Sequence, residues 1–389
     1  MSKTTSPLTA ATLSRRTLLA GIPAAALVLA GCSANAGTTS TTATATTGAT
    51  ATPSATASGA AAAGSVAALA QAFQSTLSSD QQSTLLQQYS LANAKLWSNL
   101  PQGLLSGGMG GAGGPGGGTG ARIGLSLGDL DDAQLAAFDT LLAAATGSGA
   151  GEGYDEIQQH LNADDYLAAN GGGSTYGRAN FYVAFLGTPA DTGTWELQFG
   201  GHHLAVANTY VDGTLAGATP SFRGIEPNAA FDENGRTNQP LAVKEAAFTA
   251  LLAGLSADQL ATAKLSDVYS DLELGPGNDW AFPATRQGVQ VSTFTDAQKQ
   301  LALAAIAGYV DDLADADAQA VLARYQGELD DTFIAYSGTT ALTQRNDYVR
   351  IDGPSVWIEF SMQNGIVLSG NHPHSVWRDR TTDYGGTQS

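Results

Sequence analysis

Hydrophobic residues recur with helical spacing along the chain from about residue 65 onward. Val66 and Phe73 lie two turns apart on one side of such a helix, and Ser78 opens a stretch typical of a capped helix start. A closely similar start returns at Ser256. The pattern predicts amphipathic helices in both halves of the chain.

Two further blocks of sequence recur in the same order. Residues 122–134 are similar to residues 286–298, and residues 181–188 are similar to residues 332–339. Three matched blocks in one order favour an internal repeat over chance similarity between helix caps. We therefore predict two repeated units, at about 66–212 and 243–365.

Aromatic and β-branched residues follow the helices in each half. These segments are 181–186 and 195–210 in the first half, 333–336 and 348–362 in the second, and 366–368, which we expect to start a further strand. Helices followed by a hairpin in each half predict an α+β fold, with helical layers packed on an antiparallel sheet that both halves share. The wide gaps between paired hairpins favour a single domain over 65–389, which ends in a histidine motif at 366–386.

The first 64 residues differ in composition from the rest. Arg15 and Arg16 precede an apolar run, which is the pattern of a twin-arginine export signal, and this run is too short to remain as a spanning helix. The run ends at Cys32 in a sequence that resembles the lipobox of bacterial lipoproteins. We predict a lipoprotein signal peptide over 1–31 and a flexible tether, rich in Ala, Thr and Ser, over 32–64.

Lipidation of Cys32 would tether the mature protein to the lipid bilayer, at the outer face of the cytoplasmic membrane. The alternative is an ordinary signal peptide with a chance cysteine. Twin-arginine export usually carries folded proteins, which fits a cofactor that is loaded before export. A lineage that exports many cofactor-free lipoproteins by this route is an equal alternative.

Charge and cysteine content exclude several classes of protein. Acidic residues number 35 and basic residues 17, so the formal net charge is −18. Nucleic-acid binding needs clustered Lys and Arg, and we therefore expect no nucleic-acid partner. Cys32 is the one cysteine, which excludes a disulfide scaffold and a cysteine-based zinc site in the folded part.

Four of the five histidines lie in two short motifs. His202 and His203 follow a glycine pair, and His372 and His374 flank a proline. Alternate side chains of a strand share a face, so His372 and His374 are placed to clamp a metal ion. His202 and His203 point to opposite faces of a regular strand, so one of them should join the clamp unless the glycines form a bulge. Three imidazoles with an open position are typical of catalytic zinc, and imidazole also suits copper or non-haem iron.

Other charged residues are candidates for a catalytic role. Glu359 lies in the middle of a predicted strand among apolar residues, where a buried carboxylate needs a cation or a metal-bound histidine; exposure on an edge strand is the alternative. Asp379 could act as a base, and Arg378 could orient a substrate or instead bind loop carbonyls. His160 lies in a helix that we expect to be solvent-exposed.

The histidine pattern has two further interpretations. The same residues could form a polar network at the strand ends, hydrogen-bonded to Trp and Asp neighbours, or they could bind an anion or another ligand without a metal. The glycine-rich segment 107–120 has no Lys-Ser or Lys-Thr ending, so we interpret it as a loop rather than as a phosphate-binding motif.

Several motifs resemble those of DUF3500, a bacterial family of exported proteins of unknown function. The matching segments are 96–101, 185–189, 201–204, 351–354, 357–359, 372–379 and 383–385. The resemblance covers about residues 65–386, supports the domain boundary and implies no particular reaction. The glycine-rich segment 107–120 departs from the pattern as a local insertion.

Together these observations predict a membrane-tethered, extracytoplasmic protein with a histidine-rich metal site. Water activated by the metal, with Glu359 or Asp379 as base, would make it a hydrolase, whereas copper would indicate an oxidoreductase. One alternative is a non-enzymatic lipoprotein that binds a solute or a metal, with a small molecule or an envelope-derived compound as ligand. The other is a structural envelope module with a His/Asp polar network.

Overall fold

The computed structural model describes residues 61–106 and 122–386. The predicted signal peptide, Cys32, nearly all of the predicted tether and the glycine-rich segment 107–120 lie outside the described residues. Within the part of the chain that is described, no helix combines the length and the apolar character needed to cross a membrane.

Helices and strands alternate in groups along the described residues. The α-helices are α1 (Val66–Ser75), α2 (Ser79–Leu85), α3 (Leu91–Ala94), α4 (Gln102–Ser106), α5 (Asp132–Ala145), α6 (Gly153–Leu167), α7 (Ala242–Gly254), α8 (Ala257–Ala263), α9 (Asp296–Val310) and α10 (Asp315–Gly327). The strands are β1 (Leu86–Gln87), β2 (Leu125–Ser126), β3 (Tyr182–Leu186), β4 (Thr194–Gly201), β5 (Leu204–Val211), β6 (Thr214–Gly217), β7 (Ser221–Gly224), β8 (Phe231–Glu233), β9 (Arg236–Asn238), β10 (Val289–Gln290), β11 (Phe333–Ser337), β12 (Tyr348–Asp352), β13 (Val356–Asn364) and β14 (Asn371–Asp379).

The strands form one large sheet and one small hairpin. The large sheet runs in the order β1-β3-β4-β5-β7-β14-β13-β12-β11-β10, with β2 beside β3 and β6 beside β5. Its pairs are antiparallel, except for β1 with β3. Strand β7 pairs with β14 at the centre, so strands from both parts of the chain share the sheet. The α+β class and the shared sheet predicted from the sequence are confirmed.

The sheet is covered differently on its two faces. Side chains alternate along β3, so that Val183 and Phe185 pack with the helices of the first half while Ala184 and Leu186 pack on the opposite face. On that opposite face the cover is made mainly by irregular segments, which contribute Leu272 among others. This irregularly covered face is the one that holds the candidate site.

The two helix starts predicted at Ser78 and Ser256 are confirmed, and two further helices begin in the same way. Ser78, Asp131, Ser256 and Thr295 each cap a helix, and in each case a glutamine three residues later closes the capping box. Both partners satisfy amide groups that the first turn of a helix leaves free, which is why this spacing predicts helix starts well.

Three local predictions were wrong. His160 is 2% exposed, because α6 turns Glu156, His160 and Asp164 toward the interior. Residues 366–368 form no strand; their three amide groups donate to one carboxylate, that of Glu226. The segment 195–210 is two strands with a turn between them, and this turn contains His202 and His203.

Candidate metal centre

Strand β14 carries two of the candidate histidines. His372 and His374 are two positions apart, so their side chains share the irregularly covered face, as predicted. Their Nε2 atoms lie 3.2 Å apart. The other ring nitrogens point away from each other: Nδ1 of His372 is 3.2 Å from the carbonyl oxygen of Asn364, and Nδ1 of His374 is 2.9 Å from Oδ1 of Asp271.

The third histidine comes from the turn between β4 and β5. Gly201 pairs with Leu204, which leaves His202 and His203 as the two central residues of a tight hairpin. His203 has a φ of 102°, a region that glycine normally occupies, so its backbone is strained. The amide of Gly224 donates to the carbonyl of His203 over 2.7 Å and holds this conformation. Nε2 of His203 thereby lies 2.8 Å from Nε2 of His372.

Two glycines make room for this arrangement. A Cβ atom at Gly201 would lie 2.5 Å from the Phe181 ring, so a side chain there would push the hairpin away. A Cβ atom at Gly224 would lie 3.1 Å from Cδ2 of both His203 and His374. The glycine at 224 therefore gives both imidazoles the space to approach each other across β7 and β14.

The outward contacts decide which ring nitrogens carry hydrogens. A backbone carbonyl and a carboxylate can only accept, so Nδ1 of His372 and Nδ1 of His374 each donate. In the neutral rings both Nε2 atoms then present lone pairs toward each other across 3.2 Å. His203 can donate one hydrogen, to His372, which leaves the contact between His372 and His374 without one. A cation or an additional proton between these rings would relieve the repulsion.

Burial disfavours the additional proton on two of the rings. His203, His372 and His374 are 5%, 2% and 8% exposed. Desolvation, followed by repulsion from neighbouring histidines, lowers the pKa of His203 and of His372 well below the usual value. Burial alone would raise the pKa of Asp271, but attraction and a hydrogen bond from His374 bring it below the usual value.

The three Nε2 atoms fit a single ion. They form a buried group in which all ligand atoms lie within 4.8 Å of one another. Bonds of about 2.0–2.1 Å in a tetrahedral site separate nitrogens by roughly 3.3 Å, and two of the three separations between Nε2 atoms are 2.8 and 3.2 Å. The second nitrogens of His372 and His374 are hydrogen-bonded to a carbonyl and a carboxylate, the usual outer partners of metal-binding histidines.

The structure brings His203, and not His202, into this group. Nδ1 of His202 is 2.6 Å from Oδ1 of Asp164, and its ring lies against that of His203, with ring centroids 3.6 Å apart. Opposite orientations were predicted for a regular strand, but both residues lie in a turn. In the observed turn the two rings lie side by side, and of the two only His203 belongs to the converging group.

Glu359 contacts the segment that holds Asp271 rather than the histidines. It is fully buried, and its two oxygens accept hydrogen bonds from the amides of Glu273 and Leu274 and from the side chains of Tyr348 and Trp357. Burial raises the pKa of Glu359 against the effect of these donors. Its contacts are those of a residue that fixes segment 271–274.

Arg378 and Asp379 also lie in buried networks. Arg378 binds Asp383 over 2.7 Å and the carbonyl of Leu274 over 3.2 Å, so it too holds the segment that contains Asp271. Asp379 accepts from Arg324 and Tyr325, on the helical face of the sheet. The structure does not bring either residue into contact with the histidines.

The residues that orient the rings were not predicted from the sequence. Asp271 lies in an irregular segment, where no periodic pattern indicates which way a side chain points. Asn364 acts through its backbone carbonyl, so its side chain carries no signal. Glu226 lies 4.0 Å from Nδ1 of His372 through Oε2, just beyond β7. The one available signal was that a histidine clamp needs acidic or carbonyl partners.

The model of a protein family described as "Protein of unknown function (DUF3500)" matches residues 59–386. No curated protein and no solved structure matches the chain.

Proposed function

Because the chain belongs to the DUF3500 family, whose description assigns no activity, we propose a function from the site itself: the protein is a metalloprotein that holds one transition-metal ion on Nε2 of His203, His372 and His374. The observation that carries this proposal is the convergence of three buried Nε2 atoms, two of them with lone pairs that face each other.

Three imidazole ligands leave a coordination position for water or a substrate. A bound ion there would supply Lewis-acid or, if it is copper, redox chemistry. The chain's own part is to hold three neutral rings in place and to shield them from bulk water. A metal-dependent hydrolase or oxidoreductase is the first proposal, and a non-enzymatic metal- or solute-binding protein is the alternative.

Metal content tests the centre directly. Protein made without a histidine tag is loaded with Zn²⁺, dialysed and analysed by mass spectrometry. We expect about one equivalent in the wild type, and loss of that equivalent in His203→Gln and His374→Gln. His202→Gln is the matched control, because it changes the neighbouring ring and should keep the metal.

A wild type that takes up no metal would refute the centre and favour the His/Asp network. Equal losses in His202→Gln and His203→Gln would refute the ligand assignment. If the metal binds, Co²⁺-loaded protein separates the two functional candidates. A visible spectrum that changes on addition of imidazole indicates an open position, as an enzyme needs, and an unchanged spectrum favours storage or structural binding.

We also propose that the protein is exported and lipid-anchored. The support is Arg15 and Arg16, the apolar run that follows and the lipobox-like sequence up to Cys32. Labelled fatty acid should appear in the wild type and not in Cys32→Ala, which should leave the membrane fraction. Label retained in Cys32→Ala would contradict this proposal.

We further propose that the two halves arose as a repeat. In each half a two-residue strand, β2 or β10, is followed by a helix that begins with a capping box, at Asp131 or Thr295. Three antiparallel strands come later in each half, β3–β5 and β11–β13. Superposition of residues 122–210 on 286–362 tests it. Helices and strands that fail to coincide in order would refute the repeat.

A further inference from the structure

We infer that the carboxylates around the three histidines adapt the centre to an ion that stays divalent, as Zn²⁺ does, rather than to copper that alternates between Cu⁺ and Cu²⁺. This inference rests on the proposed metal centre. It assigns the centre to Lewis-acid chemistry, such as the polarisation of a carbonyl group or the activation of water, and not to electron transfer.

The ligand atoms are the first argument. The three converging groups are all imidazoles. Cu⁺ prefers soft thiolate and thioether ligands. Within residues 61–106 and 122–386, Met362 carries the single sulfur atom, and it is packed in the core between the sheet and the helices of the second half, away from the irregularly covered face. Among the described residues, therefore, no soft sulfur ligand lies near the three histidines.

Charge is the second argument. The charged side chains that contact these histidines are carboxylates: Asp271 at Nδ1 of His374, and Glu226 at 4.0 Å from Nδ1 of His372. Three neutral imidazoles leave the charge of a bound ion unchanged, so two carboxylates balance a dication and overbalance a monocation. The buried setting makes this difference count, because screening by water is weak there.

Glu226 is fixed where it can exert this effect. It is 1% exposed, and its Oε1 atom accepts hydrogen bonds from the amides of Ile366, Val367 and Leu368 over 2.6–2.8 Å. Oε2 is the oxygen that faces His372. The ring of His372 is held by the carbonyl of Asn364, so Glu226 contributes charge at this ring more than it contributes position.

The Coulomb energy of an ion with a distant charge scales with the charge of the ion. Removal of one carboxylate therefore costs a dication twice the free energy that it costs a monocation. Expressed as affinities, the factor lost by Zn²⁺ should be the square of the factor lost by Cu⁺. Removal of a residue that only positions a ring should instead weaken the binding of both ions by the same factor.

The decisive variant is Glu226→Gln, because the amide keeps an oxygen for the three backbone donors and removes the charge. Affinities of the full chain for Zn²⁺ and, without oxygen, for Cu⁺ are measured against competing chelators. We expect a loss of about 10- to 100-fold for Zn²⁺, the range usual for outer partners of metal ligands, and of only about 3- to 10-fold for Cu⁺. Glu328→Gln is the control, because Glu328 binds Ser355 at the far end of β13 and should change neither affinity.

Equal losses for the two ions would overturn the inference, since they would make Glu226 a positioning residue. If Glu226→Gln does not fold, Asp271→Asn replaces it, because Asp271 is partly exposed and should tolerate the change. In that variant Zn²⁺ should again lose more than Cu⁺, although ring positioning adds a common factor. A wild type that binds neither ion would refute the centre itself, an outcome distinct from equal losses.

Discussion

Two buried polar groups lie on opposite faces of the sheet at β7, and they differ in how their polar atoms are paired. One is the histidine group, His203, His372 and His374, next to Gly224. The other is the charged quartet, which we define as Glu156, Arg223, Lys244 and Asp312, on the helical face.

The quartet pairs acidic side chains with basic ones. Lys244 binds Glu156 and lies 3.2 Å from Asp312, and Arg223 lies 3.3 Å from Asp312. Burial and the nearby Asp312 raise the pKa of Glu156. Lys244 and Arg223 lower the pKa of Asp312 although burial alone would raise it. These contacts between side chains of different elements tie α6 and α7 to the sheet.

The histidine group does the reverse. The hydrogen-bond partners of His372 and His374 lie outside the group, at their Nδ1 atoms, while their Nε2 atoms face each other inside it. The quartet places opposite charges next to each other, whereas the histidine group leaves an interaction open for a ligand. This difference distinguishes the two groups better than burial does, because both are almost fully buried.

The largest effect is expected in the quartet. Lys244→Met removes one of two cations and leaves Glu156 and Asp312 poorly compensated in the interior, which should cost about 3–5 kcal/mol of unfolding free energy. Urea unfolding measures it. Lys299→Met, at a more exposed pair with Asp330, is the control and should cost at most about 1 kcal/mol. Equal costs would mean that the quartet is not structural.

A smaller effect should appear at low pH through His160. Burial, then the charge of Arg223, lowers its pKa to about 3 from 6.5. Above pH 6.5 the ring is neutral in both the folded and the unfolded chain, so its full contribution is present. Below pH 6.5 the unfolded chain takes up the proton first, and stability falls until about pH 3. Between pH 7 and pH 5 this group should cost about 2 kcal/mol.

His160→Asn isolates this contribution, because the amide retains a donor for the carbonyl of Glu156. Unfolding free energies of both proteins, without metal, are compared at pH 7 and pH 5. The advantage of the wild type over the variant should shrink by about 2 kcal/mol on acidification. An unchanged difference would show that His160 is not held neutral.

The smallest expected effect is in the histidine group. In Gly224→Ala the new Cβ atom lies 3.1 Å from two rings, so His203 and His374 must move apart, and Zn²⁺ affinity should fall about tenfold, or about 1.4 kcal/mol. Competition with a chelator measures it. Gly327→Ala, at the end of α10 where a Cβ meets open space, should leave affinity unchanged. An affinity equal to that of the wild type in Gly224→Ala would mean that the rings do not need this space.

The sequence predicted what depends on local periodicity. Capped starts at Ser78 and Ser256, and the shared face of His372 and His374, follow from spacing alone. The turn at His203 did not, because a positive φ is uncommon at a non-glycine residue and no local pattern indicates it. Asp271 and the burial of His160 did not either, since both depend on which distant segment packs against them.

The histidine group has a mechanical consequence. His203 lies 169 residues before His372, on a hairpin of the first half, and the other two ligands belong to the last strand. An ion shared by all three would join the hairpin of β4 and β5 to β14 across β7, closing a very long loop of chain. Its binding energy would then add to cohesion of the fold, and stripping the ion would first loosen the sheet in its middle.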